Sequence, residues 1–134
     1  MQRRILYILI AALAVFLAGF IPMWMKASDQ SALREKAEHD LTITRIVKDL
    51  GSAAIDARRG EYEAARQEAS AFFNAARFEI DQRGQSVLSQ QQRDALSPLL
   101  APRDELITLL ARSDPASADR LANLYVAVRK VLGV

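Results

Sequence analysis

The chain contains no cysteine in its 134 residues and only one histidine, His39. The first absence excludes disulfide bonds, thiolate metal ligands, a cysteine nucleophile and an anchor lipidated on cysteine. Glu35 stands four residues before His39, which places both on one helical face, but a zinc site needs three or four protein ligands. The five glycines are scattered, so no glycine-rich phosphate loop is present. We therefore expect no metal ion and no cofactor.

Acidic side chains occur in two close pairs, Glu61 with Glu63 and Asp104 with Glu105. Paired carboxylates can act as a general acid and base, but each pair stands at the start of a predicted helix, where the helix dipole favours negative charge. A histidine-activated serine is also not indicated, because His39 is the only candidate base and no glycine-rich strained turn accompanies it. The sequence therefore predicts no catalytic residues and a protein that is not an enzyme.

Charge of one sign is not concentrated in residues 28–134. Arg3, Arg4 and Lys26 account for three of the 18 basic residues, and the remaining 15 stand against 16 acidic ones, a net charge of −1. Nucleic-acid binding requires a dense basic face that displaces counterions from phosphate. Because the two signs alternate along this part of the chain, we expect no nucleic-acid partner.

An apolar run near the N-terminus is the clearest feature of the sequence. No charge occurs in the 21 residues from Ile5 to Met25, which as a helix would extend about 31 Å, the thickness of a bilayer's hydrocarbon core. The run is longer than the apolar part of a signal peptide, and a cut after Ala27 would place Met25 where a small residue is required. Trp24 and Lys26 suit the headgroup level. We expect a retained single span; cleavage would instead release a secreted helical domain.

Basic residues set the expected orientation of this span. Arg3 and Arg4 precede it, whereas Lys26 on the other side is soon followed by Asp29. Cytoplasmic flanks of membrane spans carry an excess of Lys and Arg, so the N-terminus is predicted to be cytoplasmic. In a bacterium the chain would be a single-pass protein of the cytoplasmic (inner) membrane, with its C-terminal part in the periplasm or on the outer face.

The pattern after the span predicts an all-α fold. We divide the chain into residues 1–27, the cytoplasmic tip and membrane anchor, and residues 28–134, an antiparallel bundle of about four helices. Pro22 removes one helical hydrogen bond, so we expect a kink or break between span and bundle.

The first bundle helix is predicted to begin at the capping residues Ser28 and Asp29 and to end at Gly60. Apolar residues recur along it at spacings of three and four, namely Leu33, Ala37, Leu41, Ile43, Ile46, Val47, Leu50, Ala54 and Ala57. Gly51 interrupts this pattern and weakens the local helix propensity. The spacing predicts one long amphipathic helix.

The next predicted helix runs from residue 61 to a stop at Gly84 and is apolar on two sides. One stripe is rich in small residues, among them Ala65 and Ala69, which permit close helix packing. This stripe predicts a tight antiparallel hairpin with the preceding helix, turning at Gly60.

A second apolar row on the same helix consists of Ala71, Ala75 and Phe78, with Phe73 beside it. Two interpretations follow. In the favoured one the two C-terminal helices cover the row and close a monomeric bundle. In the other the row is an exposed interaction face, as apolar patches on soluble domains usually are.

The C-terminal third predicts two further helical regions. Ser89 and Gln92 have capping-box spacing, and Pro98 and Pro102 then either kink the helix or divide it. Asp114 is predicted to cap the last helix.

The stretch GEYEAARQEASAFF, residues 60–73, resembles the turn and second helix of a tetratricopeptide repeat, in which Gly, Tyr and Ala recur at the spacing of Gly60, Tyr62 and Ala65. Such repeats need about three copies to bury a core, and no second 34-residue unit is present. An ordinary helical hairpin explains the same spacing, so no family is assigned.

These features favour a membrane-anchored interaction protein, an adaptor or scaffold of the cell envelope that binds a protein partner or itself. The alternative is an extracytoplasmic bundle that senses a small molecule between its helices. A fold of this kind hosts both functions, so the choice depends on the surface of the bundle.

Overall fold

The structure is a computed structural model that describes residues 2–134, except for the side chains of residues 20–28. The described backbone is helical and contains no strand, which confirms the predicted all-α class. Its α-helices are α1 (Gln2–Arg58), α2 (Tyr62–Asp81), α3 (Gln90–Leu96), α4 (Arg103–Ala111) and α5 (Ala116–Leu132), with 3₁₀ helices at Arg83–Gln85 and Ser97–Leu100.

The chain forms two compact units, Met1–Glu38 and His39–Val134. The first consists of the N-terminal part of α1. The second is a helical bundle with one hydrophobic core. Its largest fully buried apolar side chains are Ile46, Leu50, Phe72, Phe73, Leu96, Leu106, Leu110, Leu121 and Val128.

Helix α1 differs from the prediction at its start. Ser28 and Asp29 lie inside it, so no bundle helix begins there. A cap bonds N–H groups of a first turn that have no helical partner, and residues inside a helix have no such groups to cap. The backbone is also helical through Pro22, so the predicted break is absent from the described backbone, whereas a bend there stays a prediction.

Burial along α1 begins later than the apolar spacing predicts. Leu33 and Leu41 are exposed, whereas Ile43, Ile46 and Leu50 are buried. The spacing identified helical residues correctly, but a helix can extend beyond the elements that cover it. The core face of α1 is therefore confined to its C-terminal part.

The turn between α1 and α2 follows the prediction. Gly60 adopts a φ of +79°, a left-handed conformation that glycine reaches without steric cost. The Glu61 N–H donates to the Asp56 carbonyl over 2.8 Å and closes the turn. Ala65 and Ala69 are fully buried, as expected of alanines that allow close packing.

The end of α2 does not follow the prediction. The helix ends at Asp81, and Gly84 lies within the next 3₁₀ helix instead of acting as the stop. The left-handed φ of this turn, +43°, belongs to Arg83. The prediction that Gly84 ends the helix is therefore wrong, because the residue with the left-handed conformation is Arg83.

Glu79 holds the exit from α2. Its carboxylate is buried and accepts hydrogen bonds from the Ser86 hydroxyl at 2.9 Å and from the Val87 N–H at 3.1 Å. A buried carboxylate without such donors would be costly, so this loop and this side chain stabilise each other. The apolar spacing of α2 carried no sign of this polar core residue.

The region that contains Pro98 and Pro102 is divided into separate helices and is not one kinked helix. Helix α3 starts with a capping box: the Gln92 N–H donates to the Ser89 hydroxyl at 3.1 Å, and the Ser89 N–H donates to the Gln92 amide oxygen at 3.0 Å. The 3₁₀ helix Ser97–Leu100 then separates α3 from α4. The Asp114 carboxylate accepts from the Ala116 N–H, the first N–H of α5, at 2.9 Å, whereas the residue in the cap position is Pro115.

Candidate interaction surface

The exposed side of α2 carries the second apolar row. Phe78 is 59% exposed, Ala71 is exposed and Ala75 is half-buried. The favoured expectation, that the C-terminal helices cover this row, is therefore wrong for Phe78 and Ala71. We call Ala71, Ala75 and Phe78 the α2 surface. An aromatic ring flanked by alanines is apolar area available to another molecule.

Phe73 does not belong to this surface, although the sequence grouped it there. It is 1% exposed and packs edge to face against Phe72, with ring centroids 5.0 Å apart. At about 100° per residue, Phe78 lies about 140° around the helix from Phe73, so the two rings leave α2 on different sides. Phe73 is a core residue.

A groove lies on another side of the bundle, between the C-terminal part of α1 and α5. Its volume is about 390 Å³. Its apolar part is formed by Gly51, Ile55, Ala122 and Tyr125, and its basic part by Arg58 and Arg59. We call it the α1–α5 groove.

Ring packing and charge define the α1–α5 groove. A Cβ atom at Gly51 would lie 3.1 Å from Cε2 of Tyr125, so the ring lies close against α1. The Arg129 guanidinium is 5.7 Å from the centroid of the same ring, a cation–π distance. Arg58 Nη2 lies 3.4 Å from Asp119 Oδ1. The sequence pointed to Gly51 only as a weak point of a helix, because its partner Tyr125 is distant in the chain.

The structure describes no metal site. His39 is half-buried, and its Nδ1 lies 3.3 Å from Asp40 Oδ1 in the next residue. Among the residues that were searched, no group of three or more His, Cys, Asp or Glu side chains is arranged to hold a metal ion.

One carboxylate of each pair at a helix start, Glu63 and Glu105, has a basic partner. Glu63 Oε1 accepts from Arg66 Nη2 at 2.6 Å, and Gln67 Nε2 donates to the same oxygen at 3.3 Å. The Arg66 hydrogen bonds, followed by that of Gln67, lower the pKa of Glu63 to about 2, and the carboxylate raises the pKa of Arg66. Glu105 forms an ion pair with Arg120 of α5. These contacts resemble ordinary surface ion pairs.

The N-terminal part of α1 is apolar along its whole circumference. Residues Gln2–Gly19 have a mean hydropathy of 1.6, and within the searched part of the chain they form the one helix long and apolar enough to cross a membrane. Arg3 and Arg4 are exposed at its start. The predicted interface residues Trp24 and Lys26 lie outside the described side chains.

Comparison of the chain with known protein families, with curated proteins and with solved structures found no match.

Proposed function

We propose that the protein is a single-pass, membrane-anchored interaction protein of the cell envelope, without enzymatic activity. The observation that carries this proposal is the exposure of the apolar N-terminal part of α1. Its large apolar side chains from Ile5 to Leu17 are 49–74% exposed. Soluble proteins rarely expose apolar area on this scale, whereas a bilayer's hydrocarbon core covers it.

The flanking residues support one orientation. Arg3 and Arg4 favour a cytoplasmic N-terminus, and Trp24 and Lys26 suit the opposite headgroup layer. Residues 28–134 would then lie outside the cytoplasm, in the periplasm of a bacterium with two membranes.

The α2 surface supports the interaction part of the proposal. Exposed aromatic side chains are frequent centres of protein interfaces, because they bury a large area at a small cost in side-chain entropy. Phe78 is such a side chain, and Ala71 and Ala75 beside it leave room for a partner to approach the helix. The partner is either another protein or a second copy of this chain.

The anchor and its orientation are tested with reporter proteins fused after Val134. We expect a reporter that works only outside the cytoplasm to be active in the membrane fraction, and a cytoplasm-only reporter to be inactive. The reverse pattern would contradict the orientation. A mature N-terminus at residue 28, measured by mass spectrometry, would show cleavage and contradict the anchor.

The interaction role is tested by photo-crosslinking in native membranes. A photoreactive phenylalanine analogue replaces Phe78 in the full-length chain, and the same analogue at the exposed Gln91 of α3 is the matched control. We expect a protein adduct of one reproducible mass from position 78 only. An adduct of twice the chain mass identifies a second copy, and another mass identifies a different partner. Equal, heterogeneous adducts from both positions would contradict a specific interface.

A further inference from the structure

We propose that the α1–α5 groove binds a single-chain anionic amphiphile, that is, a molecule with an unbranched hydrocarbon chain and a carboxylate head group. The hydrocarbon chain lies along Gly51 and Ile55, and the carboxylate meets Arg58 and Arg59. All groove residues belong to the unit His39–Val134, so the inference is independent of the proposed anchor and of the α2 surface.

Gly51 gives the groove its shape. Glycine inside a helix is less stable than alanine, so this position calls for a reason in packing. A side chain at Gly51 would begin 3.1 Å from the Tyr125 ring, closer than an ordinary van der Waals contact. Without one, the Tyr125 ring packs directly against α1 and forms one wall of the groove.

The apolar part of the groove has the length of a medium hydrocarbon chain. Arg58 stands seven positions after Gly51, which is about 10 Å at 1.5 Å per residue. Ile55 lines the groove and is 54% exposed. A hydrocarbon chain lying here removes this apolar surface from water, which is the main driving force for such binding.

Basic side chains are concentrated at one end of the groove. Arg58 and Arg59 line that end. Asp119 lies 3.4 Å from Arg58 at this end. An exposed ion pair of this kind contributes little stability, so a ligand carboxylate can replace Asp119 as the partner of Arg58. The charge of this region therefore complements an anionic head group.

The size of the groove favours a small molecule over a protein segment. A stable protein interface buries about 800 Å² on each partner and involves about 20–30 residues a side. Seven residues line this groove. Its volume of about 390 Å³ falls within the range of about 300–1,000 Å³ that is typical of small-molecule sites.

The test uses a photoactivatable diazirine analogue of decanoate as the probe and the full-length protein in phosphatidylcholine nanodiscs. Labelled peptides are mapped by mass spectrometry, and unlabelled decanoate or neutral decanol competes with the probe. We expect labelling of residues 51–59 and 122–126, reduced at least fivefold by decanoate and unaffected by the same concentration of decanol.

Matched variants separate head-group recognition from a general loss of charge. Arg58→Gln should reduce groove labelling at least fivefold, and Ala122→Leu should block it by filling the apolar part. Arg77→Gln is the control, because Arg58 and Arg77 are both 65% exposed and each has a carboxylate oxygen at 3.4 Å. We expect Arg77→Gln to label like the wild type, and circular dichroism to show that all variants are folded.

Three outcomes would overturn the inference. One is equal competition by decanol, which does not depend on any variant. The second is labelling confined to the apolar segment of residues 5–25. The third is crosslinking of the groove to a protein by a photoreactive amino acid placed at position 55. The occupant would then be a protein partner or a second copy of the chain.

Discussion

The apolar residues at the N-terminus of α1 and those in the bundle core are the same kinds of side chain in opposite surroundings. Leu9 and Leu13 are exposed, whereas Leu50 and Leu106 are almost completely buried. Leu9 and Leu13 stand in a run without charge, so the N-terminal part of α1 is apolar on every side. Leu50 directly follows Lys48 and Asp49, so the C-terminal part of the same helix has one apolar face and one charged face.

This difference shows how the arrangement of apolar residues selects their environment. A helix that is apolar all round cannot be covered by a small bundle and requires lipid or a large protein core. A helix with one apolar face is stable in water once that face is packed. The α2 surface is an intermediate case, since Phe78 is apolar and exposed on a helix whose other face is buried.

The largest expected effect is the removal of the anchor by charge. Leu9→Arg with Leu13→Arg should cost about 5–7 kcal/mol of membrane insertion, because each arginine at the centre of a span costs about 2.5–3.5 kcal/mol. We expect the protein to leave the carbonate-resistant membrane fraction. The control is Leu33→Arg with Leu41→Arg, which charges two equally exposed leucines outside the span. Retention of the first double variant in the membrane would contradict the anchor.

The next effect compares the two sides of α2. Phe72→Ala should lower the free energy of unfolding by about 3–5 kcal/mol, because it leaves a cavity in the core. Phe78→Ala should change it by less than about 0.5 kcal/mol, as an exposed side chain does. Denaturant unfolding of the full-length chain, followed by circular dichroism, measures both. A large loss from Phe78→Ala would show that the ring is covered.

A smaller effect concerns the alanines of α2. Ala65→Leu and Ala69→Leu should each destabilise the bundle by about 1–3 kcal/mol, because a larger side chain does not fit a fully buried alanine position. Ala71→Leu makes the same change on the exposed side and should have little effect. Equal melting temperatures for all three variants would be inconsistent with the packing of this helix.

The smallest effect is the titration of Glu63. Hydrogen bonds from Arg66 and Gln67 lower its pKa from 4.5 to about 2. A lowered pKa in the folded state means that the stabilisation is present above pH 4.5 and is lost as the pH falls through about 2. Because Glu63 is exposed, we expect to detect this by carboxyl NMR and not by unfolding.

The control for that titration compares substitution of Arg66, which bonds Glu63, with substitution of Arg77, which does not. Arg66→Gln should move the midpoint of Glu63 back towards 4.5, whereas Arg77→Gln should leave it unchanged. An unchanged midpoint in Arg66→Gln would assign the shift to another cause.

Local features of the fold were predictable where nearby residues decide them. The capping box of Ser89 and Gln92, the turn at Gly60 and the bond from the Ala116 N–H to Asp114 each depend on a few consecutive residues, and all three are observed. The predicted helix start at Ser28, which is wrong, shows the limit of this reasoning. A residue type that favours a helix cap acts as one only where the preceding chain is not already helical.

The sequence by itself determined that the chain is helical, that its first helix contains an apolar segment of membrane-spanning length, and that Ala65 and Ala69 are core residues. Period and composition carry this information, because a helix repeats every 3.6 residues whatever packs against it. Only the tertiary structure decided that Phe73 is buried and Phe78 exposed, that Glu79 holds a loop, and that Gly51 and Tyr125 form a groove. Burial depends on which element covers each face, and that partner lies elsewhere in the chain.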